Sequence, residues 1–431
     1  MAGFVELLKQ NRNYRYMWTG QIVSEIGDHF NNIAVFSLAL ADTKSGMVVT
    51  GIMLSRAIPA VMAGPLAGVV LDRLDRKRVM MSSDLIRAVM ALGFILTLQN
   101  KNTSLLYVFS ALLMLASPFF TSGRSAILPV IANRDEIHTA NSVSQTTGWM
   151  TLTIGTLLGG TSVMQFGYEW AFVFNSLSFL VSAACISRLR VPSGHFRAER
   201  KDLTEAEVVR PWHEYKEGLR YMRSSPLILG IGLVTIGWAS GGGAAQILFS
   251  LFGDLVFHRG AAGIGTIWGF AGIGLLIGGG IGHVAGKNIS FSTYKRTIFL
   301  CYLVHGSAYI IFSQMRIYGW ALFFIALSRS AVAVSSVLNF SQLLKTVPDE
   351  FRGRVFSTIE TLTWSVMMIS MMGAGIASEK YDPRAIGAVA GILSTSTAFF
   401  WAWAHMTGRL SRPEPMGIAR DEVEIHGDPV I

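Results

Sequence analysis

Glu25 and Asp28 stand three residues apart in a stretch, Met17–Ala41, that is otherwise almost free of charge. Two carboxylates on neighbouring positions of one helix face repel each other, and such a pair can serve as a proton carrier. Arg56 lies in the next apolar stretch, Val48–Leu71. Asp84 and Arg87 lie in the third, again three apart, and Arg329 and Glu360 stand alone in two later ones. An ionisable group inside a long apolar segment is costly unless it meets a partner or a hydrated space, so each is a functional candidate. A competing reading joins Asp28 to Arg56 as a structural ion pair. A lone guanidinium at Arg329 suits an anionic or zwitterionic group on a substrate, or a salt bridge that switches to Glu25 or Glu360.

The elements that must position these groups are membrane spans. A block of about 20 apolar residues crosses the hydrocarbon core of a bilayer. After the first two, further blocks follow near 79–98, 105–123, 141–166, 170–187, 227–252, 262–285, 294–315, 318–344, 354–378 and 386–407. Twelve transmembrane helices are therefore expected, in an all-α membrane protein. Of the residues, 51% are hydrophobic and only 15% charged, too little charge for the surface of a soluble domain.

The net charge of +9 is not a nucleic-acid signal, because the cations are sorted by side. Lys9, Arg12, Arg15, Arg73, Arg76, Lys77, Arg78, Arg124, Arg134, the run from Arg188 to Arg223, Lys287, Lys295, Arg296, Lys345, Arg352, Arg354 and the tail arginines fall on one face. Lys44, Lys101, Arg259, Arg316, Lys380 and Arg384 fall on the other. Positive loops stay inside, so both termini are expected in the cytoplasm of a bacterium, with the chain in its inner membrane. Cys185 and Cys301 lie within spans, and no disulfide is expected. A monomer is expected.

The long polar loop divides the chain into an N-terminal six-helix bundle (1–187), a linker (188–226), a C-terminal six-helix bundle (227–407) and a tail (408–431). In the linker Trp212, Tyr215, Leu219 and Met222 recur at helical spacing behind Pro211. This implies a helix that either lies on the inner membrane surface or packs on the bundles. Asp135-Glu136 and Asp349-Glu350, about half a chain apart, each open a helix, a weak sign of an internal repeat that local capping could equally produce.

The most specific motif is Gly64-Pro65-Leu66-Ala67-Gly68-Val69-Val70-Leu71-Asp72-Arg73-Leu74-Asp75-Arg76-Lys77-Arg78. It resembles the loop between spans two and three of the major facilitator superfamily: Gly68, Asp72, Arg73, Arg76 and Lys77 match, and Asp75 replaces the usual glycine. Other stretches resemble the drug-exporter branch that includes macrolide efflux proteins: Asn13-Tyr14-Arg15 through Gly20-Gln21 with Gly27-Asp28, Arg56-Ala57-Ile58-Pro59, Phe172 through Asn175 to Ser178-Phe179, and Val347 through Val355. Gly155-Thr156-Leu157-Leu158-Gly159-Gly160 keeps the glycines of the fifth-span motif of proton-driven antiporters but has Thr156 in place of its proline.

The resemblance implies two pseudo-symmetric six-helix bundles. It implies an inner gate in which Asp72 meets the start of span eleven near Gly353-Arg354, braced by Gly68, Arg73, Arg76, Asp84, Arg87, Arg354 and Glu360. A carboxylate facing a helix start suits the dipole there. Spans one, four, seven and ten would line a central cavity holding Glu25, Asp28 and Arg329. Asn31, Asn32, Arg56, Trp149, Trp238, Asn339, Gln342 and Trp364 are further cavity candidates at that depth. The Met367, Met368, Met371, Met372 group reads as adaptable packing rather than a metal site.

No Gly-rich Lys-Ser/Thr loop, metal constellation or nucleophile–base set occurs, so neither ATP, a cofactor nor an enzyme is expected. The expected function is proton-coupled export of a hydrophobic or amphiphilic small molecule. The expected partners are that molecule, protons and membrane lipids, with no nucleic acid. A lysophospholipid flippase of the same fold is the first alternative. A non-transporting receptor or assembly factor is the second, and the retained intramembrane charges argue against it.

Overall fold

The computed structural model describes residues 4–100, 102–191, 196–197 and 211–411. Most of the basic linker run and most of the tail lie outside them. A short helix, α1 (Phe4–Gln10), precedes the spans. The N-terminal bundle is α2 (Arg12–Thr43), α3 (Gly46–Arg73), α4 (Arg76–Gly93) continued by α5 (Ile95–Asn100), α6 (Thr103–Ile131), α7 (Arg134–Phe166) and α8 (Tyr168–Ser187). The linker carries α9 (Pro211–Ser224). The C-terminal bundle is α10 (Pro226–Leu251) with a π turn at Phe252–Val256, α11 (Gly260–Gly286), α12 (Phe291–Gln314), α13 (Tyr318–Thr346), α14 (Asp349–Ser378) and α15 (Pro383–Met406).

Ten of these segments are long and apolar enough to cross a membrane by length and composition. The other two, α2 and α7, have 32 and 33 residues and are more polar. The expected twelve spans are all present. Several helices start earlier than the apolar blocks do, because caps carry them past the hydrocarbon. Asn133 and Glu136 form a capping box that starts α7, and Ser45, Asp75, Asn102 and Ser290 each accept a backbone N–H of the helix that follows.

Within each bundle the helices pack through small residues. A Cβ on Gly278 of α11 would lie 2.0 Å from the Ser330 carbonyl of α13, and one on Gly274 would lie 2.2 Å from that of Ala326. The bundles meet through α7 and α11 in the same way, where Gly265 sits against Gly160 and the Thr156 carbonyl. Without a hydrophobic drive between helices in lipid, such close approach supplies the contact. Gly278→Val is expected to destabilise the protein by about 1–3 kcal/mol, read as a lower unfolding midpoint in detergent. An unchanged midpoint would mean that the α11–α13 crossing is not held by backbone contact.

The linker helix packs on the C-terminal bundle. Glu217 pairs with Arg354 of α14 at 2.8 Å, Tyr221 stacks on Phe351 at 4.5 Å between ring centres, and Met222 is buried. Gly218 passes the Arg354 carbonyl so closely that a Cβ would lie 2.7 Å from it. The side chain of Trp212 lies outside the described set.

Candidate functional site: a central cavity between the bundles

A cavity of about 830 Å³ lies between the two bundles. The N-terminal bundle lines it with His29, Asn32, Ile33 and Phe36 of α2, with Met53, Arg56, Ala57, Ala60 and Val61 of α3, and with residues of α6 and α7 including Met114 and Thr156. The C-terminal bundle contributes Gln246 of α10, Trp268 of α11, and a face of α14 from Ser357 through Glu360, Trp364, Met367 and Met368 to Met371. The α14 residues recur at three- and four-residue steps, one face of a helix.

The cavity is shut on the face opposite the linker. There Lys44 pairs with Asp254 at 3.2 Å, while Glu379 accepts hydrogen bonds from the Ser45 hydroxyl (2.7 Å) and the Met47 amide (3.1 Å). Beneath this latch α3 and α14 touch, with Gly46 against Ser378 and Gly375 against Thr50. Toward the linker face the walls separate. Along α14, exposure rises from 3% at Met371 to 45% at Trp364. Asp72 is exposed and has no hydrogen bond or ion pair among the described residues, and a Cβ at Gly68 or Gly353 would meet nothing within 4 Å. The contact implied between Asp72 and the start of span eleven is not made in this conformation; Arg354 is held by Glu217 instead.

The basic loop residues are engaged elsewhere. Arg76 donates to the Ala126 carbonyl near the end of α6, and Lys77 donates to the Ser187 and Leu189 carbonyls at the end of α8. Arg73 is exposed. Asp75 earns its place in the motif by capping α4 through the Arg78 amide and by accepting from the Phe196 amide of the linker. Partial burial pushes its carboxyl up, but these backbone donors outweigh that and hold it below the usual carboxylate range.

The remaining predicted residues are spread over several places. Asn32, Arg56, Glu360 and Trp364 border the cavity. Glu25 lies on the same helix as Asn32, and its carboxylate accepts from Arg124 (3.2 Å), Gln21 (2.8 Å) and Thr151 (2.8 Å), tying spans one, four and five together. Asp84, Arg87 and Asp28 belong to the interior of the N-terminal bundle. Asp84 and Arg87 form a buried ion pair, and the Arg87 guanidinium sits between the rings of Phe120 (4.7 Å) and Phe179 (4.4 Å). Asp28 feels Arg87 and Arg56 electrostatically but forms no ion pair with either, and its Oδ1 is enclosed without a hydrogen bond. Asn31 is fully buried, with neither amide atom hydrogen-bonded.

Arg329 is enclosed in the C-terminal bundle, its guanidinium 4.9 Å from the Phe249 ring centre, and does not border the cavity. Glu25 does not border it either, so the two share no chamber here. Phe249 meets Trp268 edge to face, so one aromatic layer separates Arg329 from the cavity wall. Trp149 packs on Gly279 across the bundle interface, Trp238 sits among core residues, Asn339 accepts from the Tyr294 hydroxyl, and Gln342 donates to Thr346.

His29, Gln246 and Trp268 are cavity residues that the sequence reading passed over, and Met367, Met368 and Met371, read there as adaptable packing, also border the cavity. The signal existed: His29 and Phe36 lie three before and four after Asn32, and Met367, Met368 and Met371 continue the face of Glu360 and Trp364.

Two helix bundles around a shared cavity that is closed at one end define a multi-pass membrane carrier. The chain belongs to the Major Facilitator Superfamily, whose family model matches residues 17–371. It is 28% identical over 388 residues to the uncharacterised MFS-type transporter YfiS of Bacillus subtilis (86% of this chain, 88% of that one). It is 23% identical to macrolide efflux protein A of Streptococcus pyogenes (85% and 89%) and 24% identical to the enterobactin exporter EntS of Citrobacter koseri (86% and 86%). Among solved structures it superposes on a mutant form of the nucleoside transporter NupG with a TM-score of 0.71 at 12% identity, covering 91% of this chain and 99% of that one, a likeness of fold. It is a transporter, not an enzyme.

Proposed function

We propose that the protein exports a hydrophobic or amphiphilic small molecule from the bacterial cytoplasm by alternating access, driven by proton entry. The observation that carries this reading is the cavity built by both bundles, latched by Glu379 and Asp254 on one face and open on the other. The open face bears the basic loops, which the positive-inside rule assigns to the cytoplasm. Rocking of one bundle against the other would break the latch and let Asp72 meet α14, exposing the same cavity outward. A wall of methionine, tryptophan and aliphatic side chains with few polar groups suits an amphiphilic guest. Exporters among the relatives support the direction.

Glu25 and Asp28 are the candidates for the proton site. Glu25 is surrounded by donors, whereas the enclosed, unpartnered Oδ1 of Asp28 is the arrangement most altered by gain or loss of a proton. In proteoliposomes with an imposed pH gradient, Asp28→Asn is expected to reduce proton-driven efflux of an amphiphilic dye at least tenfold while exchange without a gradient persists. Glu25→Gln is expected to have a smaller effect. Gradient-driven efflux that survives both substitutions would remove proton coupling through this pair. The absence of any transport by the wild-type protein across a panel of amphiphiles would remove the export reading.

A further inference from the structure

We propose that the cavity is built for an amphiphile carrying both an oxyanion and an ammonium group, the first held by Arg56 and the second by Glu360. This rests on the export reading above and specifies its substrate class. Arg56 projects from α3 of the N-terminal bundle and Glu360 from α14 of the C-terminal bundle, and both border the cavity. Among the described residues neither makes an ion pair or a hydrogen bond, and Nη1 of Arg56 is enclosed with no acceptor. Of the other intramembrane charges, Asp84 is matched with Arg87 and Glu25 with Arg124, while the unpaired Asp28 and Arg329 do not border the cavity. A guanidinium kept unpaired in a low-dielectric wall is costly and a ligand anion offsets that cost, while the exposed Glu360 carboxylate is free to meet a ligand cation.

The placement also has a mechanical consequence. A guest that joins Arg56 to Glu360 links the two bundles through opposite charges. It therefore favours any conformation that brings the walls together over the open one, which is what a carrier requires of its cargo. A guest with one charge engages one bundle only. The body of the guest meets Met53, Met114, Met368, Trp268 and Trp364, side chains that adapt to varied apolar shapes. His29 and Gln246 remain for neutral polar groups, and Asp28 is the acid within the protein that competes for Arg56.

Two sources supply this chemistry: a peptide-like zwitterion or a zwitterionic lysolipid. The test measures binding to the full-length protein in nanodiscs by thermal shift and by quenching of tryptophan fluorescence. The first arm uses the dipeptide Leu-Trp, its N-acetyl form, its C-terminal amide and the doubly capped form. The second uses lysophosphatidylethanolamine and its N-acetyl derivative. The zwitterion of at least one arm is expected to bind at least tenfold more tightly than its capped forms, and the arm that responds identifies the source.

Arg56→Gln is expected to abolish the preference for the free dipeptide over its amide. Glu360→Gln is expected to abolish the preference for free over acetylated amines. Arg56→Lys, which keeps the charge and guards against a folding defect, is expected to retain part of the first preference. Equal binding of the doubly capped dipeptide, or tighter binding of the cationic amide, would overturn the proposal and leave the export reading standing. If no probe of either arm binds while the dye of the efflux assay does, the proposal falls and export again stands.

Discussion

Arg87→Ala is expected to destabilise the N-terminal bundle by about 3–5 kcal/mol, the usual cost of removing one partner from a buried ion pair. Asp84 is fully buried and Arg87 is 3% exposed. The guanidinium is pinned between Phe120 of α6 and Phe179 of α8, so it joins three spans through one side chain. Truncation leaves the Asp84 carboxylate enclosed without its cation and removes two cation–π contacts. Asp84→Ala strands the arginine in the same way. The double substitution removes both charges, and it is expected to recover at least half of the loss. Unfolding midpoints of the single and double variants, measured at matched lipid content, check this. A drop of less than about 1 kcal/mol for Arg87→Ala would mean that water reaches the pair and that it is not a brace. A gate element must form and break within the transport cycle. A pair sealed between aromatic rings inside one bundle fits a static support for α4 better than a moving latch.

The second large effect is conformational. Glu379→Ala removes the two hydrogen bonds by which the C-terminal end of α14 caps the start of α3. Both involve a carboxylate, but the site is exposed, so together they contribute on the order of 1.4 kcal/mol, a tenfold change in a two-state equilibrium. The variant is expected to shift about tenfold toward the state open on the opposite face. The check is labelling of Gln246→Cys, in a chain whose Cys185 and Cys301 are replaced by serine, with a membrane-impermeant maleimide applied from that face. The initial labelling rate should rise about tenfold in Glu379→Ala and by less in Glu379→Gln, which keeps one acceptor oxygen. An unchanged rate would show that the glycine contacts at Gly46 and Gly375, not the carboxylate, hold this end shut.

Asp72 stands at the other end of the same helix pair. It lies at the end of α3 as Glu379 lies at the end of α14, and Glu379 faces the start of α3. In this structure the Glu379 contact is made and the Asp72 contact is open.

The number of spans, their approximate positions and the sorting of cations were readable from the chain. Each depends on sums over a local window: about 20 apolar residues, or the lysines and arginines of one loop. The family motif was readable for the same reason, being a contiguous run from Gly64 to Arg78. Asp75 in place of glycine became intelligible only when Phe196, 121 residues away, was seen donating to it.

The chain alone therefore determined a twelve-span facilitator with charges kept in its membrane interior, because hydrophobic length and loop charge are local and nearly additive. Tertiary structure decided which of those charges meet the cavity. Arg56 and Glu360 border it and Arg329 does not, because the facing of a helix is set by its neighbours. Tertiary structure also decided which end is shut. That depends on contacts such as Ser45 with Glu379, whose partners are 334 residues apart and whose energies are small enough to be exchanged during transport.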